Sequence, residues 1–102
     1  MMELRPGVRL RSAVCDTEVV VVRAGEPSVD LRCGGHPMLP MPAAETQSGL
    51  ALVDGSGTLL GKRYAHEATG LELLCTKAGA GGLSVGGEAV LLKAAKALPS
   101  SD

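Results

Sequence analysis

With 102 residues, the chain has the length of one domain, or of two very small modules that share a core. Its composition is globular, 45% hydrophobic and 21% charged, but Tyr64 is the one aromatic residue, so the core must be built from Val, Leu, Ala and Met. Ten basic residues scattered among eleven acidic ones give a net charge of −1, which offers no footprint for a phosphate backbone; with no aromatic platforms for bases either, nucleic acid is not an expected partner.

The chain opens Met1-Met2-Glu3-Leu4-Arg5-Pro6-Gly7, without an apolar leader. No apolar run approaches the ~20 residues of a membrane span. These features predict a soluble, cytoplasmic protein with no membrane partner. Three cysteines, an odd number, argue against a disulfide framework and leave metal ligation, a redox pair or inert burial.

In chain order, the first strong element is 18–23, where Val19-Val20-Val21-Val22 is β-branched throughout. Such residues crowd a helix and suit a central strand buried on both faces. Leu39-Pro40-Met41-Pro42 and the polar residues after it read as an extended linker with one helical turn at most. Asp54-Gly55-Ser56-Gly57, flanked by 50–53 and 58–60, has the chemistry of a hairpin turn. Further strands are expected at 71–76 and 89–92, with 78–82 as a flexible hairpin tip. That tip leads into a strand rather than a helix, so its glycines form no phosphate cradle. The end of the chain, 92–98, is helical by propensity or extended, and Pro99 stops it.

The two halves align. Arg23-Ala24-Gly25 followed by Leu31-x-Cys33-Gly34-Gly35-x-x-Met38 matches Lys77-Ala78-Gly79 followed by Leu83-x-Val85-Gly86-Gly87-x-x-Val90. Upstream, Glu18 falls opposite Glu72, Cys15 opposite Thr69 and Ser12 opposite His66, while Cys75 falls opposite Val21 and reads as a core residue. The divisions are 1–38 for the first module, 39–58 for a linker and connecting hairpin, and 59–102 for the second.

Ser12-x-x-Cys15 and Leu31-x-Cys33-Gly34-x-x-Pro37-Met38 resemble the desulforedoxin-like, rubredoxin-related family, whose pattern is an aromatic, Cys-x-x-Cys-Gly, a hairpin and Leu-x-Cys-Cys-Gly-x-Pro-Met. Gly61-Lys62-Arg63-Tyr64 and Gly70-Leu71-Glu72 look like framework residues of a second copy. The resemblance implies an all-β fold, two small modules packed as an internal pseudo-dimer, and an ancestral iron or zinc site on four cysteines. Its ligand positions fall on Ser12, Cys15, Cys33 and Gly34 in the first copy and on His66, Thr69, Val85 and Gly86 in the second. The second copy is therefore expected to be metal-free, and rubredoxin-type electron transfer lacks its thiolate cage.

Three readings of the first copy remain open. A reduced metal site would use Cys15, Cys33 and His36, with Ser12 or water in a fourth place, for zinc or iron; the soft neighbours Met38 and Met41 extend this to Cu(I). A redox pair would join the two sulfurs as a labile disulfide. In the third, both cysteines pack as small hydrophobes, Met38 fills the core and His36 is a surface turn residue. No catalytic constellation is found: Ser12, Asp16 and His36 lack a nucleophile elbow, and Glu67 and Glu72 read as solvated strand residues. The resulting expectation is a non-catalytic accessory or interaction module without a cofactor that binds a larger protein, the metal protein and the thiol–disulfide switch being the alternatives.

Overall fold

A computed structural model describes residues 2–26, 28–41 and 51–93. Those residues are all-β and contain no helix. The 14 glycines and 6 prolines keep the strands short. In chain order they are β1 (Met2–Glu3), β2 (Arg9–Arg11), β3 (Glu18–Arg23), β4 (Ser28–Val29), β5 (Leu31–Cys33) and β6 (His36–Pro37). They continue with β7 (Leu39–Pro40), β8 (Arg63–His66), β9 (Leu71–Lys77), β10 (Leu83–Val85), β11 (Glu88–Ala89) and β12 (Leu91–Leu92).

A six-stranded sheet runs β12-β8-β9-β3-β2-β7, a four-stranded one β11-β10-β5-β6, and β1 pairs with β4. Both longer orders read the same from either end once β2, β3, β5, β6 and β7 are equated with β8, β9, β10, β11 and β12. The register obeys the same equivalence. Glu18 pairs with Lys77 while Arg23 pairs with Glu72, and Val20 meets Leu74, its own counterpart, at the centre. In the smaller sheet Arg32 meets its counterpart Ser84, flanked by Leu31–Val85 and Cys33–Leu83. The pairs Arg9–Val20 and Leu10–Val19 recur as Arg63–Leu74 and Tyr64–Leu73.

One apolar cluster joins the two longer sheets, drawing Leu10, Val19, Val21, Tyr64, Leu71, Leu73 and Cys75 from the larger and Leu31, Cys33, Leu83 and Val85 from the smaller. Met38 and Val90 fill equivalent places in it, each donating its backbone N–H to the start of the neighbouring strand, at Leu31 O and Leu83 O. Tyr64, the single aromatic, buries its ring there and accepts the Leu59 N–H at its hydroxyl, 2.9 Å away. This partner removes the penalty of burying the phenol oxygen.

The turns after β5 and β10 are two-residue Gly-Gly hairpins. Gly34 and Gly35 have φ of +65° and +89°, and Gly86 and Gly87 +55° and +87°. Positive φ at both central positions is what the primed hairpin turns need, and glycine adopts it without a Cβ clash.

Several expectations are corrected. In β3 the valines alternate, Val19 and Val21 buried, Val20 half-buried and Val22 exposed, because the strand has its second face toward solvent. The segment 89–92 divides at Val90 into β11 and β12, which belong to different sheets. No hairpin forms across Asp54-Gly55; the Asp54 carboxylate instead accepts the Ser56 N–H and hydroxyl, and Thr58 makes an isolated bridge to Gly79. Leu52 and Val53 pack on the Gly34-Gly35 turn rather than on 58–60. The linker begins as strand β7, and the expectations for 42–50 and for 94–102 lie outside the described residues.

Candidate functional site: a close-set dithiol

Ser12 and Thr17 close the turn between β2 and β3, and both are fully buried. The Ser12 N–H donates to the Thr17 carbonyl, and Ser12 Oγ accepts the N–H groups of Val14 and Cys15, each at 3.1 Å. This local capping holds Cys15 at the end of the turn. Pairing of β5 with β10 holds Cys33 in the core. The two elements bring Cys15 Sγ and Cys33 Sγ to 3.8 Å.

The second half completes the site. Gly81 donates its backbone N–H to Cys15 Sγ at 3.3 Å, and Gly34 donates to the Gly82 carbonyl. A Cβ at Gly79 would overlap Thr17, and one at Gly81 would lie 3.0 Å from Cys33 Sγ and 3.1 Å from Cys15 Sγ. The glycine-rich stretch 78–82, expected as a flexible tip, is thus packed directly on the sulfurs. Gly25 is its counterpart in the first half and is pressed in the same way against the Thr69 carbonyl. Each half covers the turn of the other.

A row of hydroxyls runs away from Cys15. Its Sγ lies 3.2 Å from Thr17 Oγ1, which is 2.7 Å from Thr58 Oγ1, which in turn accepts the Gly79 N–H at 3.2 Å. Thr58 can therefore donate to Thr17, leaving the Thr17 proton free to point at a thiolate. The electrostatics of the two cysteines diverge. Burial raises the Cys15 pKa, but hydrogen bonds from Ser12, Thr17 and Gly81 outweigh it and bring the thiol down from its ordinary 9.0 to about 7. Burial dominates at Cys33, reinforced by the neighbouring Cys15 charge, and pushes its thiol up to about 12. One sulfur is thus readily ionised and half-buried, while the other is protonated and enclosed.

His36 is not drawn into this site. Its Nε2 lies 2.7 Å from the Ala51 carbonyl, and among the described residues no three His, Cys, Asp or Glu side chains are grouped to hold a metal ion. At Gly34, the fourth position that the desulforedoxin resemblance would assign to a ligand, a Cβ would come within 2.6 Å of Val14 Cγ2 and 2.7 Å of Leu52 Cδ1, so two apolar side chains fill the space beside it. Cys75 is buried in β9 with its thiol donating to the Lys77 carbonyl.

In the second half the corresponding turn carries no sulfur. His66 is buried, with Nδ1 2.9 Å from Thr69 Oγ1 and Nε2 2.8 Å from the Glu88 carboxylate, while Val85 belongs to the core and Gly86 to its turn. An open cleft of about 840 Å³ adjoins it, lined in part by Arg23, His66, Glu88, Leu91 and Lys93, with neither cysteine of the dithiol in its lining. Glu72, expected to be solvated, is buried between β8 and β3 and takes ion pairs from Arg63 at 3.1 Å and Lys93 at 2.9 Å.

Thr17, Thr58 and Gly81 were not singled out by the sequence. For Thr17 a signal existed: the alignment that sets Cys15 opposite Thr69 sets Thr17 opposite the core residue Leu71, so a hydroxyl stands where its counterpart is apolar. Comparisons of the chain with protein-family models, with curated proteins and with solved structures give no match.

Proposed function

We propose that the protein is a non-catalytic accessory module whose working element is a thiol–disulfide switch at Cys15 and Cys33, carried on two degenerate desulforedoxin-like units packed as an internal pseudo-dimer. The observation that carries the switch is the 3.8 Å separation of one low-pKa and one buried thiol. Loss of two protons and two electrons to an acceptor disulfide joins the sulfurs, and the shift needed to reach bonding distance is under 2 Å on the ~2.05 Å scale of an S–S bond. The two-fold register supports the paired-unit reading.

The oxidised pair would act on a larger protein partner through the connector. Val53 donates its N–H to the Gly34 carbonyl and places its side chain on Gly35, yet is 75% exposed, with Leu59 and Leu60 exposed further along. A shift of Cys33 toward Cys15 moves Gly34 and with it this apolar segment.

A zinc or iron reading draws on the same sulfurs. With metal–sulfur bonds of about 2.3 Å, two ligands of a tetrahedron lie about 3.8 Å apart, which these do. The side chains filling the Gly34 position and the engaged His36 ring argue against a full ligand set.

Intact-mass measurement of the protein before and after reductant, and after oxidised glutathione, is the direct test. The switch requires a reversible loss of two hydrogens that Cys15→Ser and Cys33→Ser each abolish, with faster amide exchange across 51–60 in the oxidised form. A chain that stays fully reduced, or that carries stoichiometric metal under reducing conditions, overturns it.

A further inference from the structure

We propose that Cys15 is a hydroperoxide-reactive sulfur and Cys33 its resolving partner, so that a small peroxide is the oxidant that throws the switch. This deepens the dithiol reading and rests on it. Of the three thiols, Cys15 alone is not buried, so an oxidant arriving from solvent meets it first. Two backbone approaches narrow that access: Cβ atoms built on Gly79 and Gly81 would each fall 3.1 Å from Cys15 Sγ. Backbone this close to the sulfur favours a small oxidant over a bulky one. The Gly81 N–H and the Thr17 hydroxyl converge on the sulfur, so donors already stand where a peroxide oxygen must lie during attack.

The chemistry balances without a metal. The Cys15 thiolate attacks the terminal peroxide oxygen, an S–O bond forms, the O–O bond breaks, and the leaving alkoxide or hydroxide takes a proton to become alcohol or water. Solvent reaching the partly exposed Cys15 supplies that proton, since Thr17 and Thr58 are themselves buried. Sulfur has lost two electrons and the peroxide has gained them. Cys33 then attacks the sulfenic sulfur 3.8 Å away; the S–O bond breaks and the hydroxide departs as water with the Cys33 proton. Two equivalents of a small thiol return the disulfide to the dithiol and leave as their own disulfide.

The experiment follows pre-reduced protein mixed with hydrogen peroxide at pH 7, read by intact mass and by a sulfenic-acid-trapping dione. The whole chain should reach the disulfide about tenfold faster than free cysteine is oxidised, because donors stand beside Cys15 Sγ and the resolving sulfur is 3.8 Å away. In Cys33→Ser a single oxygen, trapped by the dione, should appear on Cys15. Thr17 is a positioning residue: Thr17→Val should slow the reaction several-fold and move its pH profile upward, and Thr17→Ser should restore both. Circular dichroism confirms that each variant is folded. A wild-type rate equal to that of free cysteine, or oxygen recovered on Cys75, overturns the proposal. If oxidised glutathione makes the disulfide but peroxide does not outpace free cysteine, peroxide reactivity falls and the switch stands. If neither oxidant makes it, both fall.

Discussion

Gly81 donates its backbone N–H to Cys15 Sγ at 3.3 Å, a contact between residues 66 positions apart that ties the reactive thiol of one half to the backbone of the other. It makes the site a joint product of both halves. A side chain at this position would come within 2.9 Å of Gly34 N as well as touching both sulfurs, so Gly81→Ala has to displace backbone. Overpacking of this kind costs roughly 1–3 kcal/mol. Chemical denaturation should show that loss, and titration of the Cys15 thiolate by its ultraviolet absorbance should show a midpoint above the value of about 7 set by the native contacts. An unchanged midpoint would mean that Gly81 does not stabilise the thiolate.

Stability should vary with pH in opposite senses on the two sides of pH 9. Between about 7 and 9.0 the folded chain holds Cys15 as thiolate while the unfolded chain still binds its proton, so stability rises with pH and the gain is lost as pH falls through 7. Above 9.0 the unfolded chain releases the Cys33 proton that the folded chain keeps up to about 12, so stability there falls with rising pH. In acid, the ion pairs of Glu72 with Lys93 and Arg63 hold its carboxyl below the ordinary range, and their contribution disappears as it protonates. Urea midpoints measured across these windows give the profile. Cys15→Ser should flatten the rise below pH 9, and an undiminished rise would assign it to another group.

Tyr64 offers a check on the core that is independent of sulfur. Its hydroxyl accepts the Leu59 N–H at 2.9 Å, and its ring lies on the cluster shared by both sheets. Tyr64→Phe keeps the ring and strips the amide of its partner, for a loss of about 1 kcal/mol. Tyr64→Ala should cost about 3–5 kcal/mol, because no other aromatic residue is present to fill the space. Thermal or urea denaturation of the two variants separates the hydrogen bond from the packing.

How far the sequence reached depended on whether a residue's surroundings were local. The strand 18–23 and the sharp Gly34-Gly35 and Gly86-Gly87 turns were readable because β-branching and positive φ are properties of the residues themselves. The alignment of Arg23-Ala24-Gly25 with Lys77-Ala78-Gly79 names the same equivalences that the register follows. Asp54-Gly55 misled, since turn chemistry gives a bend but not the strands that flank it, and Leu52 and Val53 lie instead against the turn after β5 while staying largely exposed. The surroundings of His36 were hidden for a related reason. Its spacing from Cys33 permits ligation, but the Ala51 carbonyl that engages its ring comes from a segment the spacing says nothing about. The convergence of Thr17, Thr58 and Gly81 on Cys15 joins three distant segments, and no local pattern encodes it.

A thiol placed at Gly34, a ligand position only by the proposed desulforedoxin resemblance, should fail to create a metal centre. A Cβ at Gly34 meets Val14 Cγ2 at 2.6 Å and Leu52 Cδ1 at 2.7 Å, and the backbone there has φ of +65°, which a side chain other than glycine adopts at a cost. Crowding and backbone strain add, so Gly34→Cys is expected to lose roughly 2–4 kcal/mol and to bind no stoichiometric zinc. Ser12→Cys differs, since the serine hydroxyl already hydrogen-bonds toward both sulfurs, favouring the Cys15 thiolate and partly opposing the rise that burial causes at Cys33, and the larger atom replaces an oxygen of similar reach. Zinc titration of Gly34→Cys, Ser12→Cys and the double variant, read by thiolate absorbance and by denaturation midpoint, distinguishes the positions. Tight zinc binding by Gly34→Cys alone would show that Val14 and Leu52 yield readily, and that crowding does not bar a ligand at this position.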